Sequence, residues 1–65
     1  MNEIEYIRYS LVQNGFKSEF VVNQDEGLLR AIYDLMDRYE DADEQWEALE
    51  KFCVDNDINV YEAIQ

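Results

Sequence analysis

A chain of 65 residues with 16 Asp and Glu, five Lys and Arg and no histidine carries a formal net charge of −11. That length allows one small domain, residues 1–65, burying roughly 60% of its unfolded surface; that charge repels nucleic acid and anionic lipid, so no direct nucleic-acid or membrane binding is expected and a partner should be basic. No apolar run approaches the ~20 residues of a membrane span, the opening MNEIEYIRYS lacks a signal peptide's basic-then-apolar pattern, and Cys53 has no second cysteine to pair with, all of which fits a reducing cytoplasm.

The first element turns on Asn14-Gly15 within SLVQNGFKSEFVV. The pair either ends a helix, with Gly15 left-handed just past the last turn, or forms the centre of a type I′ hairpin turn. A helix over residues 4–13 aligns Ile4, Ile7 and Leu11 but scatters Tyr6, Tyr9 and Val12 over other faces. A two-residue hairpin loop instead pairs residues 7–12 with 17–22 and gathers Ile7, Tyr9, Leu11, Phe16, Phe20 and Val22 on one face. The other face then holds Tyr6, Arg8, Ser10, Val12, Lys17, Glu19 and Val21 and is mostly polar. The register that the turn dictates also segregates the faces, so the expected fold class is α+β: an N-terminal β-hairpin, two helices and a short C-terminal helical turn. The alternative is an all-α chain of three to four helices.

NQDEGLLRAIYDLMDRYED reads as the next helix. Asn23 with Glu26 has capping-box spacing, Asp25 and Glu26 suit the positive end of the helix dipole, and Leu28, Ile32, Leu35, Met36 and Tyr39 share one face. After a short acidic break, Asp41 with Glu44, or Asp43 alone, caps a helix near residues 43–55 whose buried face is Trp46, Leu49, Phe52 and Cys53. Asn59 with Glu62 repeats the box, and Val60, Tyr61 and Ile64 are expected to close the core. The hairpin leaves two open strand edges and a polar face that still carries Tyr6, Val12 and Val21. Pairing of edges between two copies would cover both, so a homodimer through these residues is expected.

Chemistry is sparse. The absence of histidine removes the usual general base and the usual metal ligand. Cys53 lies on an apolar face with only Lys51 nearby as a cation and reads as a buried structural thiol. A calcium loop beginning at Asp41 would need Gly at Trp46 and Glu at Phe52, and one beginning at Asp55 runs off the chain. No phosphate-binding glycine loop or zinc spacing occurs. No enzyme activity, cofactor or metal is therefore expected.

The acids themselves remain. Between Leu28 and Asp57 ten of them face only Arg30, Arg38 and Lys51. Asp34, Asp37 and Asp41 fall opposite the first apolar stripe, Glu44 and Glu47 opposite the second, and Glu40 and Asp43 flank the break. Like charges three or four residues apart cost a few tenths of a kcal/mol per pair. Carboxylates in rows imitate the charge array of a nucleic-acid backbone and suit the basic groove of a DNA- or RNA-binding protein. The plainer reading is a solvated acidic face. LLRAIYDLMDRYEDADEQWEALEKFCVDNDINVYEAI, with Glu47-Ala48-Leu49 and Glu62-Ala63-Ile64, resembles the acidic helical segment of antirestriction proteins of the ArdA type. The resemblance implies a phage or mobile-element inhibitor that imitates DNA in the host cytoplasm and disarms a defence nuclease, as anti-CRISPR proteins do. The competing expectation is a small non-enzymatic adaptor that binds through the hairpin edge and apolar surface.

Overall fold

The computed structural model describes residues 2–64 and is helical from end to end, with no strand among the described residues. Its elements are α1 (Glu3–Gln13), α2 (Ser18–Asn23), α3 (Glu26–Arg38), α4 (Ala42–Asp55) and α5 (Val60–Ala63). The β-hairpin and the α+β class are thereby overturned; the class is that of the all-α alternative, with five helices in place of its three to four.

The reason lies in which apolar residues are buried. The hairpin counted Tyr9 and Val22 as core, yet they are 57% and 66% exposed, while Val21, assigned to the polar face, is 1% exposed. Helical spacing collects Ile4, Ile7 and Leu11 on α1 and Phe20 with Val21 on α2, all buried. A helix pairs its interior backbone groups within itself and its ends are capped locally, whereas an isolated two-stranded ladder leaves two edges unpaired. At the start of α1, the Asn2 side-chain oxygen accepts the Glu5 amide at 2.9 Å, and Glu3 and Glu5 sit in the first turn where the dipole favours acids.

Asn14-Gly15 ends α1 rather than turning a hairpin. The Phe16 amide donates to the Leu11 carbonyl at 3.0 Å and the Gly15 amide to Val12 at 3.1 Å, the two bonds of a Schellman cap. Gly15 has φ +104°, and the Asn14 side-chain amide donates to the Ser10 carbonyl at 2.7 Å. The same device closes α4: Ile58 donates to Cys53 at 2.8 Å and Asp57 to Val54 at 3.2 Å, Asp57 takes φ 57°, and the Asn56 side chain donates to Phe52 at 2.8 Å. The chain thus contains two units of similar plan, a long helix, a Schellman turn and a short helix, flanking α3.

α3 begins later than the sequence suggested. Its cap is Asp25, whose carboxylate accepts the Leu28 amide at 2.9 Å; Asn23 is the last residue of α2, and its side chain donates to the Glu19 carbonyl at 2.7 Å. The buried stripe of α3 centres on Leu29 and Ile32, with Leu28, Tyr33, Leu35 and Met36 packed beside it. α4 is capped by Asp41, as the first of the two expected arrangements had it, with the Glu44 amide donating at 3.3 Å. Leu49 and Cys53 are buried and Phe52 half-buried, but Trp46 is 42% exposed and does not belong to the core. In α5, Asn59 caps through the Tyr61 amide at 2.9 Å; Ala63 is buried where Tyr61 had been expected, and Tyr61 points outward.

α1 packs on α2 and α3, α3 packs on α4, and α5 closes the structure against α2 and α4. The closure is made by the residues after the two Schellman turns: Phe16 bridges Ile64, and the Lys17 amide donates to the Ala63 carbonyl at 2.7 Å. Phe16 and Phe20 stack with centroids 6.0 Å apart. The angle between α3 and α4 is fixed by Gln45, whose side-chain amide donates to the Met36 carbonyl at 2.7 Å and lies 3.4 Å from that of Tyr39. These carbonyls belong to the end of α3, which has no helical partners for them.

Candidate functional site

All seven candidate carboxylates, Asp34, Asp37, Glu40, Asp41, Asp43, Glu44 and Glu47, are exposed. The ion pairs of the described residues are Arg30 with Glu3 and Lys51 with Asp55, so none of the seven is neutralised by one. They do not form a single array. α3 ends at Arg38, so Asp41 does not continue a row with Asp34 and Asp37; it caps α4 instead. Asp43 and Glu44 occupy the first turn of α4, where the dipole itself favours acids. Three of the seven therefore have a sufficient local reason to be where they are. Along the exposed side of α3, Arg30 and Arg38 lie four residues before and after Asp34, so that face alternates in sign. The densest acidity is the α3–α4 turn, where Glu40, Asp41, Asp43 and Glu44 fall within five residues, continued by Glu47 one turn into α4.

The residues expected at a dimer edge separate. Val21 is in the core, Val12 packs against it half-buried, and only Tyr6 is exposed, at 53%. With no strand among the described residues there is no edge for them to share.

Tyr6 has a different neighbour. Its ring meets Tyr33 of α3 edge-to-face, with centroids 6.3 Å apart and planes at 76°. Below the pair lies a groove of about 270 Å³ between α1, α3 and the start of α4, lined by Tyr6, Ser10, Tyr33, Met36, Asp37 and Gln45 among others. Trp46 lines an adjoining depression that shares Met36 and Gln45 with it. The Tyr33 phenol is held above its ordinary pKa, first by desolvation, then by Tyr6 and by the Asp37 and Asp34 carboxylates. Sequence reasoning picked out both acids but not the tyrosine pair, which joins residues 27 positions apart on two helices.

Cys53 is buried at the Schellman end of α4. Burial and, less strongly, the Glu50 carboxylate push its thiol pKa up, which lowers the thiolate fraction at neutral pH. A thiol reagent at pH 8 is expected to label the native chain at least about tenfold more slowly than the chain unfolded in denaturant. Comparable rates would place the sulfur at the surface.

No group of three or more His, Cys, Asp or Glu side chains among the described residues is arranged to hold a metal ion, and no helix is long and apolar enough to cross a membrane. No family model, curated protein or solved structure matches the chain.

Proposed function

We propose that the chain is a non-catalytic acidic inhibitor that occupies the basic, nucleic-acid-binding surface of another protein by imitating backbone charge. The observation that carries this reading is the set of seven exposed carboxylates on α3, the α3–α4 turn and α4, none of them in an ion pair among the described residues. Asp34 and Asp37 stand on α3 and Asp43, Glu44 and Glu47 on α4, with Asp41 tied into the connection as the α4 cap, so those six side chains start from defined backbone positions and lose less ordering entropy on binding. The centre of the surface is Glu40, Asp41, Asp43, Glu44 and Glu47, with Asp34 and Asp37 at its margin because Arg30 and Arg38 dilute the charge there. The resemblance of residues 28–64 to antirestriction proteins of the ArdA type points the same way, towards a host defence nuclease as the target in the host cytoplasm.

Salt tests it. Captured from a host lysate, the basic target should bind at least about tenfold more weakly at 0.5 M than at 0.1 M salt, because surface charge is screened within ~10 Å at the lower value and within a few Å at the higher. Duplex DNA or RNA should displace the chain from the target. A complex indifferent to salt, or one that nucleic acid joins without displacing the chain, is incompatible with charge imitation. For the adaptor reading, the helical fold removes the strand edge and leaves the exposed apolar side chains, Trp46 and Tyr61 among them, as the surface through which it would bind.

A further inference from the structure

The groove beneath Tyr6 and Tyr33 has a composition that bulk charge imitation does not call for. A solvated acidic face needs no aromatic rings, yet here two tyrosines in edge-to-face contact form one wall, Met36 lies beside them, and Asp37 stands on the rim. Asp34 lines the neighbouring depression on the other side of the same tyrosine pair. No Lys or Arg lines the groove itself; Arg30 lines the neighbouring depression, where its guanidinium is bonded to Glu3.

An aromatic wall with a carboxylate at each side selects among cations. An ammonium is compact and strongly hydrated, so bringing it against Tyr and Met surface is costly. A guanidinium is flat and weakly hydrated; it stacks on an aromatic face and presents parallel N–H donors to a carboxylate at the same time. We infer that this groove receives an arginine side chain from a basic segment of the partner protein, its guanidinium stacked on the Tyr6–Tyr33 pair and bonded to Asp37. The inference rests on the charge-recognition reading above and adds to it a specific anchor, set to one side of the α3–α4 turn.

Hexa-arginine and hexa-lysine peptides, equal in charge, separate the two levels. Titrated into the full chain at low salt and followed by NMR, hexa-arginine is expected to bind at least about threefold more tightly, with the largest shifts at Tyr6, Tyr33 and Asp37. Tyr33→Leu keeps an apolar side chain but removes the ring and should bring the two affinities together. Because Tyr33 is half-buried, Tyr6→Leu provides the same test on an exposed ring should the first variant fail to fold. Equal affinities in the parent chain, shifts confined to Glu44 and Glu47, or an arginine preference that survives the folded variants would each overturn the groove inference while leaving charge recognition standing. Failure of both peptides to bind at low salt would overturn both.

Discussion

A chain carrying Asp34→Asn, Asp37→Asn, Glu44→Gln and Glu47→Gln is expected to fold as before and to bind its basic target at least about tenfold more weakly at 0.1 M salt. All four side chains are exposed, so no core contact is removed. Four fewer negative charges reduce the steering field, so most of the loss should appear as slower association. The salt dependence should flatten as well. Stability is expected to change by less than about 1 kcal/mol, because two small terms oppose each other. Relieved repulsion among the acids stabilises; losing Glu44 from the first turn of α4 and Asp34 from between Arg30 and Arg38 destabilises by similar tenths. Stopped-flow association and thermal unfolding measure the two quantities. An unchanged association rate in a folded variant would refute the proposed binding surface.

The two Schellman turns predict opposite outcomes for exchanging their left-handed residues. Gly15→Val is expected to destabilise the fold by about 2 kcal/mol. A Cβ at Gly15 meets nothing within 4 Å, so the cost is conformational: a β-branched residue resists φ of +104°, and the turn that it strains positions Phe16 in the core. Asp57 already occupies the corresponding place at φ 57°. Asp57→Gly should therefore stabilise by about 0.5 kcal/mol, by relieving the left-handed strain and by removing an anion from the negative end of α4, offset in part by a more flexible unfolded chain. Urea unfolding measures both. A neutral Gly15→Val would mean that the α1 cap contributes little to holding Phe16.

Legibility differed along the chain for physical reasons. Asp41 and Asn59 were recognisable as caps because short polar side chains beside an apolar period have few other uses. Asn2 with Glu5 has the same box spacing, and that signal marks the start of α1. The N-terminal segment misled because Ile7, Leu11, Phe16 and Phe20 are core residues in either reading, so the faces differed at Tyr9, Val21 and Val22, the residues whose burial was misjudged. Among the candidate residues, exposure of the acids followed from their charge alone, since an unpaired carboxylate is too costly to bury. The pairing of Tyr6 with Tyr33, and hence the groove, depended on how α1 crosses α3.

By itself the sequence determined the acidic surface, the helical character of residues 26–55, the burial of Cys53 and a positive φ at Gly15, which both readings of Asn14-Gly15 required. It did not determine which kind of element comes after that glycine. A positive φ reverses the chain equally well into a second strand or into a new helix, and the choice is made by the apolar partners that residues 16–22 can reach. Phe16 finds its partner in the closure with α5, where Lys17 donates to Ala63 and Phe16 meets Ile64. Those partners lie more than forty residues away, so only the tertiary structure, by bringing the two Schellman ends together, decided that the chain is all-helical.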